Sequence, residues 1–166
     1  RFSGGTFKLE FYSDEEIEKI IERSAKILGI KIDPEAKKEI SKRSRSTPRT
    51  ANYLLKRSRD LAQIKNKDLT HEIVKEALNM LKIDELGLNA EDRAMLEIIE
   101  NKFDGGPVGL NTLAASLAEE EATVEEVHEP YLLQLGLIER TPRGRKVTEK
   151  SYDHMNIAKD MRGKLL

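Results

Sequence analysis

The chain has 166 residues, of which 38% are hydrophobic, 36% charged and 5% aromatic, with 29 Lys+Arg against 30 Asp+Glu and no cysteine. This balance fits one or two soluble, helix-rich globular units and is too apolar and too regularly patterned for a disordered chain. It excludes disulfides and thiolate metal sites, and no apolar run approaches the roughly 18–20 residues that span a membrane.

Charge is distributed unevenly. Residues 1–84 hold 19 Lys+Arg against 14 Asp+Glu, a balance of +5, whereas residues 85–166 hold 10 against 16, a balance of -6. Opposite balances predict two units, 1–84 and 85–166, and argue against a globally basic nucleic-acid binder. The start, Arg1-Phe2-Ser3-Gly4-Gly5, does not read as a signal peptide, so the expected location is cytoplasmic. His71, His128 and His154 are far apart and form no cluster with metal-ligand spacing.

In chain order, a short β-like segment at 7–12 precedes a capping-box pattern, Ser13 with Glu16. Ile17, Ile20, Ile21, Ala25 and Leu28 then recur at helical spacing until Gly29. Asp33-Pro34 opens a second helix to about Ser44, and Thr47-Pro48 repeats the device for a third with Ala51, Leu54, Leu55, Leu61 and Ala62 facing inward. Thr70 is expected to cap a fourth, carrying Ile73, Val74, Ala77, Leu78 and Leu81. Four short helices with short connections read as a small bundle.

After a linker at 83–88, Asn89 caps a helix over about 91–102. The Gly105-Gly106-Pro107 turn and a short helix at Leu110–Leu117 follow. Thr123 with Glu126 suggests a capping box for a helix to about Gln134, stopped by Gly136. Residues 137–140 and 145–148 around a turn at 141–144 read as a β-hairpin. Three helices followed by a hairpin is the order of a winged helix. The expected fold is thus mainly α, a four-helix bundle followed by a winged-helix domain.

Three constellations bear on function. Arg49 falls in the first turn of the third helix, where a cation opposes the helix dipole by a few tenths to about 1 kcal/mol. An anion at that helix end, such as a phosphate, would reverse the sign. The wider run 42–59 holds seven basic residues and no acid. Next, Arg140-Thr141-Pro142-Arg143-Gly144-Arg145-Lys146 places four cations on a stiff tip suited to phosphates. The helix before it occupies the recognition position yet is ringed by Glu119, Glu120, Glu121, Glu125, Glu126 and Glu129, with no Arg or Lys to read guanine edges. Contact through the wing is expected rather than sequence readout, and a winged helix that docks a protein is the alternative. No G-x-x-x-x-G-K-[ST] or G-x-G-x-x-G phosphate loop occurs.

The strings Leu9-Glu10-Phe11-Tyr12, Ser41 through Arg49 and Leu54 through Ala62 resemble the AAA+ lid of the bacterial Holliday-junction branch-migration motor family RuvB. The strings Phe103 through Leu117, Glu129 through Gly136 and Arg140 through Arg145 resemble that family's winged helix. The resemblance covers roughly 1–155. It implies an ATP-dependent helicase motor of recombination and repair, a homo-hexameric ring around duplex DNA that migrates Holliday junctions with RuvA and works beside RuvC. It also implies ATP with Mg as cofactor in the whole motor. Arg49 matches the sensor-2 arginine that meets nucleotide phosphates; Tyr12 matches an aromatic near the adenine, and Pro48 lies beside the same pocket. Arg143 and Arg145 match wing residues that approach DNA, with Arg140 adjoining them. Ser3-Gly4-Gly5-Thr6 departs from the family's run, and Ser46 stands where glycine is common. The ATPase core is missing from the sequence, so a fragment inactive alone is expected.

Overall fold

The computed structural model describes residues 11–155. The chain divides between Leu88 and Asn89 into two compact units. Most of the β-like segment expected at 7–12, and the tail beyond Asn156, lie outside the described residues; Phe11 and Tyr12 carry no regular structure.

Four helices build the first unit: α1 (Asp14–Ile27), α2 (Pro34–Lys42), α3 (Pro48–Ile64) and α4 (His71–Met80). α1 begins with the expected capping box, Glu16 N donating to Ser13 Oγ at 3.3 Å and Ser13 N to Glu16 Oε2 at 2.9 Å. Asp33 Oδ1 caps α2 by accepting from Glu35 N at 3.0 Å. The inward faces meet in one core in which Ile17, Ile21, Ile40, Leu54, Leu55 and Leu78 are fully buried. Each such side chain contributes about 1.5–3 kcal/mol by leaving water. Ile20 and Leu28, also on the periodic face, are only partly buried at the margin.

The link between α2 and α3 differs from expectation. α2 stops at Lys42, and a tight turn over 43–46 follows in which Arg45 and Ser46 both hold positive φ, 56° and 52°. Left-handed backbone costs a residue with a Cβ roughly 1–2 kcal/mol. Thr47 and Thr70 stand at the N-cap positions of α3 and α4, but neither hydroxyl caps its helix. Thr47 Oγ1 turns back to the Ser44 carbonyl instead, at 3.1 Å.

The second unit is a winged helix. α5 (Ala90–Lys102) carries a capping box between Asn89 and Asp92 and buries Met95, Leu96 and Ile99; α6 is Leu110–Leu117. The next helix, α7, runs through a regular turn (Glu121–Thr123), a π-helical turn (Val124–His128) and a regular end (Glu129–Gln134). The expected Thr123–Glu126 capping box is not formed. Ala118, left-handed at φ 55°, ends α6, and the chain restarts with Glu120 as N-cap, leaving Thr123 inside the helix. Pro130 accounts for the wide turn. It has no N–H to offer the Glu126 carbonyl and its ring crowds that oxygen, so Glu129 N reaches five residues back to Val124 O.

The wing pairs β1 (Ile138–Thr141) with β2 (Gly144–Val147) in antiparallel register, Ile138 opposite Val147 and Arg140 opposite Arg145. The glycine-rich segment before α6 supplies a third, single-residue strand: Val108 and Arg145 exchange backbone bonds at 2.8 Å. This approach requires glycine. A Cβ on Gly144 (φ +135°) would lie 2.2 Å from Val108 O, and one on Gly106 (φ +95°) 2.5 Å from Arg145 O. Helical residues 149–155 close the unit and bury Ser151 and Met155.

Two stability changes of opposite sign follow. Ser46→Gly removes the left-handed penalty but loosens the unfolded chain, for a net gain of about 0.5–1 kcal/mol in urea denaturation followed by circular dichroism. Gly144→Ala drives a methyl into backbone and lowers the stability of the winged-helix unit by about 2 kcal/mol or more in the same assay.

Candidate functional sites

The first site is one end of the bundle. Ser41 Oγ, buried, donates to the Asp14 carbonyl at 2.9 Å, tying the end of α2 to the start of α1. Ser44 Oγ, also buried, donates to the Ser41 carbonyl at 2.8 Å, and Thr47 Oγ1 lies 3.1 Å from the Ser44 carbonyl and 2.7 Å from Thr50 Oγ1. Hydroxyls at every third residue thus run from the start of α1, beside Tyr12, to the start of α3, beside Pro48 and Arg49. Tyr12 is 46% exposed. Pro48 is half-buried and Arg49 is exposed, with no partner among the described residues.

The start of α3 is chemically unlike its neighbours. α1 and α4 carry acids in their first turns, and Glu15 and Glu72 sit below the ordinary carboxylate range mainly because backbone amides at the helix starts hydrogen-bond the charged form. α3 has no acid in its first turn and no side-chain cap. Its amide dipoles and Arg49 therefore face outward together, an arrangement that can hold an anion.

The rest of the run 42–59 is less available than its composition suggests. Arg43 is held by Glu39 and bonds the Ile83 carbonyl at 3.3 Å. Arg57 lies 5.5 Å from the Tyr53 ring centroid and 3.5 Å from Asp60, which also receives Arg59 at 2.7 Å.

The second site is the wing. Alternation along its two strands puts Glu139 and Lys146 on the outer face, paired at 3.1 Å, and Arg140 and Arg145 on the inner face beside buried Ile138 and Val147. Both arginines meet the Glu129 carboxylate of α7, which is fully buried. Arg140 Nε reaches Oε2 at 2.9 Å with a second, closer bond from Nη2; Arg145 donates from Nε to Oε1 and lies 3.4 Å from Oε2 through Nη2. Glu125, one turn earlier, adds contacts of 3.3 Å to Arg140 and 3.8 Å to Arg145. The Arg145 side chain is 14% exposed and that of Arg140 48%. A buried carboxylate stripped of one such partner would cost about 3–5 kcal/mol, so these cations are held inward.

Arg143 differs from both. It sits at the exposed turn between the strands, where its backbone N donates to Thr141 Oγ1 at 3.2 Å, and its side chain has no partner among the described residues. Of the expected ring of cations around the tip, Arg143 is outward without a partner, Arg145 is largely buried, and Arg140 is half-exposed but tied to Glu129. Sequence reasoning overlooked Glu129 as their partner. The signal was present: if Ile138 and Val147 face the core, period-two alternation sends Arg140 and Arg145 the same way. A second buried polar pair, His128 Nδ1 and Asp92 Oδ1 at 3.0 Å, ties the π turn of α7 to α5.

Family comparisons cover both units. The RuvB AAA lid domain matches residues 12–84 and the RuvB C-terminal winged helix domain matches residues 85–156. The Holliday junction branch migration complex subunit RuvB of Chloroflexus aggregans is 53% identical over 151 residues, 90% of this chain and 43% of that protein. Its counterpart from Dehalococcoides mccartyi is 51% identical over 155 residues, 93% of this chain and 44% of that protein. The solved Thermotoga maritima RuvB Holliday junction branch migration motor superposes with a TM-score of 0.86 at 48% identity, covering 89% of this chain and 50% of that one. The chain thus spans half or less of the length of these relatives. With an identity near one half across both units and the same fold, the chain belongs to the RuvB family and comprises its lid and C-terminal winged-helix domains.

Proposed function

We propose that this chain supplies the nucleotide-sensing lid and the DNA-contacting wing of an ATP-dependent motor that moves Holliday junctions in recombination and repair. The observation that carries the reading is the pairing pattern of the arginines. Arg140 and Arg145 and the other paired arginines named above are held by carboxylates, whereas Arg49 and Arg143 stand exposed without a partner among the described residues. Arg49 at a helix start and Arg143 at the wing tip are thus outward guanidinium groups suited to phosphate oxygens.

In the lid, the acid-free start of α3 fits a polyphosphate: Arg49 and the first-turn amides would hold phosphate oxygens, with Tyr12 and Pro48 at the same end for the base. ATP would supply the phosphoryl chemistry. Mg with the ATP of the whole motor belongs to the same reading; among the described residues no group of three or more His, Asp or Glu is placed to hold a metal. Assembly as a hexamer, partnership with RuvA and RuvC, and work on duplex DNA and four-way junctions belong to the same proposal. No helix among the described residues is long and apolar enough to cross a membrane.

In the wing, Arg143 would meet a backbone phosphate and fix position rather than read sequence, because α7 turns glutamates, not basic side chains, toward solvent. Glu121 and Glu126 of α7 and Glu119 and Glu120 just before it, all exposed, together with Val127 at 56% exposure, support the second reading, in which α7 meets a protein instead.

Fluorescence anisotropy with a duplex separates the two. Arg143→Ala is expected to weaken binding and reduce the slope of log affinity against log salt by about 0.9, one phosphate contact. Affinity and slope both unchanged would favour the protein-docking reading. For the lid, Arg49→Ala joined to the ATPase core of a relative is expected to lower ATP turnover at least tenfold, about 1.4 kcal/mol of transition-state stabilisation. Normal turnover would remove the nucleotide assignment.

A further inference from the structure

Arg140 and Arg145 face each other directly across the hairpin, where two like charges repel. Nothing in the wing itself relieves that repulsion, since the outer-face pair Glu139–Lys146 is self-contained. The relief comes from another element. Glu129 presents one carboxylate oxygen to Arg145 and the other to Arg140, so a single buried charge bridges both strands to α7.

We infer that Glu129 is a positioning residue for DNA contact, and that Arg140 and Arg145 serve it rather than the phosphates. Through the two guanidinium groups it fixes the height and tilt of the wing on α7. The tip residue Arg143, two and three positions from the bridged pair, then meets the backbone from a preset direction. His128 and Glu129, neighbours in sequence, enter two different buried pairs, one reaching α5 through Asp92 and the other reaching the wing. α7 is thereby held on both sides at the point from which the wing is aimed. The inference rests on the proposal that the wing meets DNA.

Arg145→Lys tests it, because lysine keeps the charge but loses the planar fork that grips a carboxylate from two nitrogens. A phosphate contact tolerates the exchange as a point charge, whereas a bridging role does not. Two readouts are taken on the whole chain: amide hydrogen exchange across residues 138–147, and duplex affinity against salt. The expected result is exchange at least tenfold faster in the hairpin, affinity reduced about fivefold, and a salt slope within 0.2 of the parent. Glu129→Gln, which removes the bridging charge and keeps every wing cation, is expected to speed hairpin exchange and weaken affinity in the same way, with the slope again within 0.2 of the parent. If Arg145→Lys leaves exchange and affinity unchanged, or Glu129→Gln leaves affinity unchanged or raises it, the wing is not aimed by Glu129 and the inference fails. Should Arg145→Lys not fold, Glu129→Gln alone decides by the same criteria. Failure of the underlying DNA reading looks different: Arg143→Ala leaves binding unaltered while the hairpin exchange results still stand.

Discussion

One buried carboxylate organises the winged-helix unit. Glu129 lies fully inside the protein, where an unpaired charge is intolerable, and its counter-charges come from two arginines of the hairpin that packs against it. The wing owes its attachment to that demand. Ile138 and Val147 supply the apolar contact at the base of the hairpin, and the Glu129 bridge carries the attachment outward toward the tip. Behind the hairpin, Val108 adds a backbone pairing that only Gly106 and Gly144 permit. Apolar packing, an ionic bridge and a close backbone approach thus hold four-residue strands that would not persist as an isolated hairpin.

Much of this was legible beforehand. Helices α1 to α7 and the hairpin follow from apolar periodicity, the helical stretch at 149–155 does not, and the caps at Ser13, Asp33 and Asn89 behave as their side chains suggest. Local signals succeed where the competing chemistry is also local. They fail where a distant partner decides. Thr47 looks like an N-cap, but a carbonyl three residues upstream takes its proton. Thr123 looks like another, but the left-handed Ala118 lets the helix start early. The π turn has a visible cause in Pro130, although proline alone does not say whether a helix will widen, kink or stop.

The site residues teach a sharper lesson. Composition counts charges, whereas function depends on which charges remain unpaired after folding. The four cations in the wing sequence reduce to one outward arginine, and the glutamates of α7 include one that is wholly internal. A basic cluster beside an acidic helix can therefore be mutual neutralisation within the fold as well as a surface for a polyanion. The lid repeats the pattern on a smaller scale, since Arg43, Arg57 and Arg59 of its basic run are matched by Glu39 or Asp60 while Arg49 is left facing out.

The hydroxyl series Ser41, Ser44, Thr47 and Thr50 has a mechanical consequence. Short bonds between backbone and side chain, each no longer than 3.1 Å, join the starts of α1 and α3 across an otherwise strained turn. Hydrogen bonds constrain direction as well as distance, whereas an apolar contact constrains distance alone. The start of α3 is therefore tied to the start of α1 by a directional strut through the turn as well as through the apolar core. Any ligand that shifts one helix start acts on the other through that strut.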